Sequence, residues 1–343
     1  MHKKFILFSL LILLITFSEN STSISSDNNT KNLNQNNQIA QNTETNNVSK
    51  DPYKFPQFYK GIYLNVYSAR NMERLSFFVE KAKSTKLNTL VLDVQTGKSN
   101  DCAVSSEIVS YCIKNGLHPV ARIVVFTDGL SKYPVSEDLI NNRINIAEIA
   151  CKNGFKEIQF DYIRFNDYRV SKRLSFAEKY EFIAGFLNNA RSRLKKYNAK
   201  IAADIFGRIP LNQDDAIGQK MEVFDKVVDI ICPMAYPSHY TWSNKMMADP
   251  YYTVYITSKS ARERVKSADI VTYIQAFQMK VSKSNMTFDK YIEEQLRAIY
   301  DSGVKGYILW NASQNYDVPF KVLGRYNKSL QEAINTNNKN KSS

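Results

Sequence analysis

Glu157-Ile158-Gln159-Phe160-Asp161-Tyr162-Ile163-Arg164-Phe165 alternates apolar and polar residues and ends in charge. Successive side chains of a strand point to opposite faces, so Ile158 and Phe160 share one face while Gln159 and Asp161 share the other. A parallel strand inside an α/β protein is usually apolar on both faces. A carboxylate near the C-terminal end of such a strand is costly to bury unless it serves chemistry, and α/β folds place their active sites at that end.

Seven more β-rich runs accompany this one. They are Gly61–Ala69, Thr89–Thr96, Pro119–Phe126, Lys200–Phe206, Val227–Tyr236, Ile270–Phe277 and Gly306–Asn311, with Glu157–Phe165 fourth in order. Amphipathic segments separate them, among them Arg70–Thr85, Ala103–Asn115, Asp138–Asn153, Ser175–Tyr197 and Thr287–Ser302. Gly116, Gly154 and Gly303 follow three of these stretches, as helix C-caps do. Eightfold strand–helix alternation over this length predicts a single-domain (β/α)8 TIM barrel. A doubly wound open sheet is the competing α/β architecture, but no G-x-G-x-x-G follows the first strand.

The barrel assigns faces. The register of the polar residues points inward: Tyr63, Asn65 and Tyr67; Asp93 and Gln95; Arg122; Gln159 and Asp161; Asp204; Met234 and Tyr236; Tyr273 and Gln275; and Trp310 or Asn311. These fall towards the C-terminal ends of their strands. Aromatic faces stack on the C–H surfaces of sugars, and Asp, Asn, Gln and Arg hydrogen-bond hydroxyls, so a polar ring with aromatics at one mouth suits a glycan. Pro233-Met234-Ala235-Tyr236-Pro237-Ser238-His239-Tyr240 adds a rigid aromatic loop beyond the sixth strand.

Other chemistries are poorly supplied. The chain has 3 histidines. His2 lies in the leader described below, which leaves His118 and His239 and argues against a multi-histidine zinc site. There is no G-x-S-x-G elbow and no G-x-x-x-x-G-K-[ST] loop. The 4 cysteines (Cys102, Cys112, Cys151 and Cys232) match no zinc spacing and read as buried free thiols. Carboxylates remain, and glycoside hydrolysis needs two of them across the scissile bond. Asp161 and Asp204 form the candidate catalytic pair, on consecutive strands, with Asp93 as a third candidate. Each also has a structural reading, as a carboxylate tied to a buried arginine such as Arg122 or Arg164. Sequence spacing does not separate a retaining from an inverting pair.

The ends of the 343-residue chain read differently. Lys3 and Lys4 precede an apolar run from Phe5 to Phe17, which predicts a signal peptide over 1–18 and an exported protein, periplasmic, surface-bound or secreted. Left uncleaved, the same run would anchor the chain at a membrane. Residues 19–51, rich in Asn, Ser, Thr and Gln, predict a disordered tether, and residues 326–343 a short polar tail around a domain spanning 52–325. The net charge of +13 is spread along the chain, consistent with a solvated basic surface or with contact to anionic envelope polymers. No helix-turn-helix, zinc-finger or RNA-recognition signature points to nucleic acid.

Several segments together resemble a known family, the bacterial glycoside hydrolase-like domain called domain of unknown function 4015. They are Gly61-Ile62-Tyr63-Leu64 with Tyr67-Ser68-Ala69, Val91-Leu92-Asp93-Val94, Ala121 to Phe126, and Glu157 to Phe165. Ala203-Asp204-Ile205-Phe206-Gly207, Ile217-Gly218-Gln219, Pro233 to Tyr240, Ile274-Gln275-Ala276-Phe277 and Leu309-Trp310-Asn311-Ala312 complete the match, which spans about residues 55 to 325. The resemblance implies a barrel related to glycoside hydrolases and a glycosidase role. The chain departs from the family pattern at Gln95 and Thr96 (usually Lys-Asp), Asn166 (usually Pro) and Ala276 (often Asp), which weakens a claim of full activity or signals a changed substrate. The sequence therefore leads to an exported glycoside hydrolase acting on an envelope or environmental polysaccharide. In that reading Asp161 and Asp204 are catalytic. Tyr63, Asn65, Asp93, Arg122, Gln159, Met234, Tyr236, His239, Gln275, Trp310 and Asn311 contact substrate. No cofactor or metal is implied, and a monomer is expected. The alternative is a catalytically silent barrel that binds glycan as a surface module.

Overall fold

The computed structural model describes residues 53–96, 100–167 and 173–326. The expected signal peptide, the tether and, apart from Tyr326, the tail lie outside the described residues. Among the described residues the strands are β1 (Tyr59–Leu64), β2 (Thr89–Asp93), β3 (His118–Val124), β4 (Glu157–Asp161), β5 (Lys200–Phe206), β6 (Ile230–Ala235), β7 (Asp269–Ile270), β8 (Thr272–Gln275) and β9 (Gly306–Trp310). Every pairing is parallel. β7 and β8 both pair with β6 and form one stave interrupted at Val271, so the sheet has eight staves. β9 pairs back onto β1, and the barrel closes. The predicted (β/α)8 barrel is the fold.

The helices between and around the staves are α1 (Val66–Arg70), α2 (Met72–Ser84), α3 (Ser106–Lys114), α4 (Glu137–Lys152), α5 (Phe176–Leu194), α6 (Met221–Val227), α7 (Asn244–Ala248), α8 (Pro250–Arg264) and α9 (Phe288–Ser302). Their ends are written in the sequence. Ser175 and Glu178 form a reciprocal capping box at the start of α5, a device worth about 1 kcal/mol. In α9, Ile292, Leu296 and Ile299 lie on one buried stripe. Gly303 then ends that helix at φ +70°, a left-handed conformation that side chains disfavour, and its N–H bonds Tyr300 O.

Of the boundaries that differ from the sequence reading, three have a clear local reason. β1 stops at Leu64 because the Asn65 side chain accepts from Ser68 N and starts α1. β4 stops at Asp161 because Tyr162 has φ +53°. Val227 belongs to α6, and β6 begins at Ile230. β5 covers the expected residues.

Strand alternation sorts the core into two shells. Ile62, Leu64, Leu90, Leu92, Ile158, Phe160 and Ile205 are fully buried in the shell between strands and helices. Tyr59, Tyr63, Val91, Val120, Cys232 and Tyr273 fill the second cluster, on the opposite register, inside the barrel. Each large apolar side chain so buried contributes about 1.5–3 kcal/mol. All four cysteines are free and buried, and burial pushes the Cys102 thiol up to about 11 and that of Cys112 to about 12. They are inert thiols.

The two ends of the barrel carry different polar groups. At the N-terminal ends of β1, β3 and β4, the buried Glu157 accepts from Tyr59 OH at 2.9 Å and contacts His118 Nε2 at 2.9 Å, while Tyr53 OH meets His118 Nδ1 at 2.5 Å. At the other end, Tyr316 OH donates to Tyr63 O at 2.8 Å and accepts from Asn311 N at 3.2 Å, which ties the first strand to the chain leaving the last. Polar groups at the N-terminal face of such a barrel serve stability, whereas chemistry sits at the C-terminal mouth.

Candidate active site

Arg122 on β3 is the hub of the C-terminal mouth. Its Nε donates to Asp161 Oδ2 at 3.1 Å and its Nη2 to the same oxygen, while Nη1 donates to Asp93 Oδ1 at 2.5 Å. Asp204 Oδ2 lies 3.9 Å from Nε. Three carboxyls from β2, β4 and β5 thus converge on one guanidinium, which also lies over the Tyr63 ring with its carbon 5.4 Å from the centroid. Tyr63 OH donates to Asp93 Oδ2 at 2.5 Å. Burial works against the Arg122 charge, but Asp161 and Asp93 outweigh it and hold the group well above its ordinary pKa.

Register explains the convergence. Asp93 pairs with Arg122 across β2 and β3, and Arg122 pairs with Gln159 across β3 and β4. Asp161 lies two residues beyond Gln159, on the same inward face. The left-handed turn at Tyr162 follows at once, with Tyr162 N donating to Asp161 Oδ1 at 2.6 Å. A bulky residue in that region costs on the order of 1–3 kcal/mol, and such strain is a recurrent mark of functional sites.

Asp161 and Asp204 are in contact. Their Oδ2 atoms reach 3.1 and 3.9 Å from the same Arg122 Nε, so they are at most about 7 Å apart, and the two side chains share a hydrogen bond. Asp161 is 5% exposed and Asp204 1%. Burial first, and then the Asp161 charge, push the Asp204 carboxyl well above the usual carboxylate range, while Arg122 and the hydrogen bond from Gln159 pull the other way. Together these influences bias Asp204 towards its neutral, protonated form. Gln159 Nε2 donates to Asp204 Oδ1 and, at 2.7 Å, to Tyr273 OH, which fixes the carboxyl from below.

Above this cluster opens a cavity of about 330 Å³, at the lower end of the size that small-ligand sites occupy. Arg122, Asp161, Asp204, Met234, Tyr236, His239 and Trp310 line it. Tyr236 and Trp310 stack with centroids 5.5 Å apart, and Phe277 meets both rings edge-on. His239 packs against Tyr236 and Phe277; burial and Lys280 lower its pKa, which favours the neutral ring. Among the described residues, no group of three or more His, Cys, Asp or Glu side chains is arranged to hold a metal ion.

Six of the sequence candidates lie off the cavity wall. Tyr63 and Asp93 contact Arg122, and Gln159 contacts Asp204, instead of the cavity. Asn65 is corrected to a helix cap. Gln275, expected to contact substrate, is fully buried and ties loops together, accepting from Ser238 N at 3.1 Å and donating to Phe277 O and Met279 O, each at 2.9 Å. Asn311 likewise donates to Ala276 O at 2.6 Å and Asn315 O at 3.0 Å. A polar residue at a strand end, or one step past it, serves the loop as readily as the mouth.

Other wall residues escaped the sequence reading: Tyr162, Arg164, Phe206, Arg208, Tyr240 and Trp242. Phe206-Gly207-Arg208 directly follows Asp204-Ile205, so the strand-end rule that singled out Asp204 also reaches them. Gly207 permits a close approach here, since an added Cβ would lie 2.5 Å from Met234 O and collide with the Tyr240 hydroxyl. Trp242 is one of only 2 tryptophans and is 59% exposed, which a monomeric core does not require.

The sequence profile of a family described as "Putative glycosyl hydrolase domain" matches residues 132–316. The chain belongs to this family. The resemblance drawn from the strand motifs is therefore borne out. Solved structures share the barrel. The glycoside hydrolase domain of PgaB (BpsB) from Bordetella bronchiseptica superposes with a TM-score of 0.60 at 12% identity, covering 78% of this chain and 98% of that one. The endo-1,4-beta-D-mannanase of Thermotoga petrophila RKU-1 gives 0.55 at 13% identity, covering 79% and 99%. The spore cortex-lytic enzyme SleL of Bacillus cereus gives 0.53 at 14% identity, covering 79% and 75%. At these identities the likeness speaks for the fold. No curated protein sequence matches the chain.

Proposed function

We propose that this family member hydrolyses glycosidic bonds of an envelope or environmental polysaccharide, with Asp161 and Asp204 as its working carboxyls. The observation that carries the reading is the meeting of two carboxyls, Asp161 held by Arg122 and Asp204 buried beside it with its pKa pushed upward, at an aromatic-lined barrel mouth. Environments that push two neighbouring carboxyls apart in acidity define acid and partner. One carboxyl of the pair gives its proton to the glycosidic oxygen as the bond to the anomeric carbon breaks. The other, charged, meets the cation-like anomeric carbon. Water then completes hydrolysis and returns a proton to the pair.

An inverting pair is separated by about 6.5–9.5 Å to admit a water between its carboxyls. A retaining pair stands about 5–5.5 Å apart, and the close approach of Asp161 and Asp204 lies nearer that spacing than the inverting one, so the product should keep the anomeric configuration of the substrate. The test is to incubate the protein with purified envelope glycans, measure released reducing ends and follow the first-formed anomer by proton NMR. An inverted anomer sinks the pair mechanism. Binding without any release supports the silent glycan-binding barrel, which one observation favours: Arg122, Gln159 and Tyr162 N already engage three of the four oxygens of the pair.

Export follows from the leader-like start of the sequence, with Lys3 and Lys4 before the Phe5–Phe17 run. N-terminal sequencing of the mature protein should find a start near Glu19. Full-length protein in the membrane fraction would show the uncleaved anchor instead.

A further inference from the structure

Three arginines face the cavity, and two of them are saturated. Arg122 is held by Asp161 and Asp93. Arg208 is clamped by Asp215, at 2.7 Å from Nε and 3.0 Å from Nη2, and Nη2 also reaches Asp167 at 3.2 Å. Arg164 is different. Its one hydrogen bond is from Nη1 to Phe165 O at 3.1 Å, its buried Nε has no partner, and it makes no ion pair among the described residues. Asp167, the charge it feels most strongly, is bound to Arg208.

The guanidinium is nevertheless rigidly placed. Its carbon lies 4.7 Å from the Phe206 ring centroid and 5.6 Å from that of Tyr162. Arg208 lies over the same Phe206 ring at 4.9 Å. Burial, and to a lesser degree Arg208, works against the Arg164 charge. A buried donor left without an acceptor costs about 1–3 kcal/mol, and more when the group is charged. Arg164 also lines the cavity, so the part of its guanidinium turned away from the buried Nε faces an incoming anion, and a guanidinium fits a carboxylate.

We infer that Arg164, backed by Phe206 and Tyr162, forms a subsite for the carboxylate of an acidic sugar in the glycan. This rests on the glycan reading above and narrows it to a carboxylated polymer. The carboxylate could belong to a uronic acid or to a lactyl ether on an amino sugar, and the choice of probes separates them. Titration calorimetry would compare a galacturonic acid tetramer with its carboxyl-reduced counterpart, and the N-acetylglucosamine–N-acetylmuramic acid disaccharide with chitobiose.

One acidic probe should bind at least about 10-fold more tightly than its neutral partner, as a charge-assisted hydrogen bond of about 1.5–3 kcal/mol implies. Arg164→Gln should erase that preference, bringing the acidic probe to the affinity of its neutral partner. Arg164→Lys, which keeps the charge and loses the fork, should retain a reduced preference and serves if the Gln variant fails to fold. Equal affinity for acidic and neutral probes, or a preference that survives Arg164→Gln, overturns the carboxylate subsite while leaving glycan binding intact. No binding by any probe removes both readings together.

Discussion

Asp204→Asn should lower the hydrolytic rate by about 10²–10⁴, the loss expected for an essential acid or base, while barely changing thermal stability. Asparagine copies the neutral carboxyl that the buried site already favours. Its oxygen can accept from Gln159 as Asp204 Oδ1 does, and its amide can donate to Asp161. Only the transferable proton is lost. The pH profile carries the same information with a definite sign. Because the folded-state pKa of Asp204 is raised, activity that depends on its proton is full at low pH and falls as pH rises through that raised value. The variant should lack this limb in whatever activity remains. A variant with the wild-type rate would falsify the role of Asp204 as the proton source.

Arg122→Met should be the most destabilising single change at the mouth. Removing one member of a buried ion cluster costs about 3–5 kcal/mol, because the partners stay buried without compensation. For a domain of this size that corresponds to a drop of roughly 6–15 °C in melting temperature. Asp93 and Asp161 would then face each other without their shared cation, beside an Asp204 pushed still further towards its neutral form. Protonation relieves their repulsion, so the deficit against wild type should narrow as pH falls towards about 4. Thermal unfolding at pH 7.5 and pH 4.5 measures both effects. A deficit that is small, or independent of pH, would mean the cluster is not held by Arg122.

The barrel was legible because its two periodicities are strong. Strand alternation put Ile158 and Phe160 on one face and Gln159 and Asp161 on the other, and the structure keeps that division at every stave. The nearness of Arg122, Asp161 and Asp204 was partly legible for the same reason, since inward residues of neighbouring parallel strands gather at one mouth, Arg122 opposite Gln159 and Phe160 opposite Ala203. Loop chemistry was not legible. Asn65 looked like a continuation of β1, yet its short amide can bond the backbone three residues on, a local choice that strand periodicity does not register. Gln275 and Asn311 failed likewise, because the partners that claim them, Ser238 N and Ala276 O, come from loops that meet only in three dimensions. The contact between Asp161 and Asp204 also lay beyond the sequence, which fixes the strand each acid sits on but not how far its side chain reaches.

The hydroxyl of Tyr316 joins two points 253 residues apart, from the exit of β9 to the carbonyl of Tyr63 in β1. β1 meanwhile pairs on its open side only with β9, from Gly306 to Leu309. Until the ribosome has delivered that last stave, the edge of β1 has no partner and the cylinder is an open ribbon. Closing a loop of this length costs entropy that shorter contacts do not, which places the seam among the slow, non-local steps of assembly. The molecule is thus latched by its tail end, and the acidic cluster inside the mouth is sealed into its dry surroundings only when synthesis of the domain is all but complete.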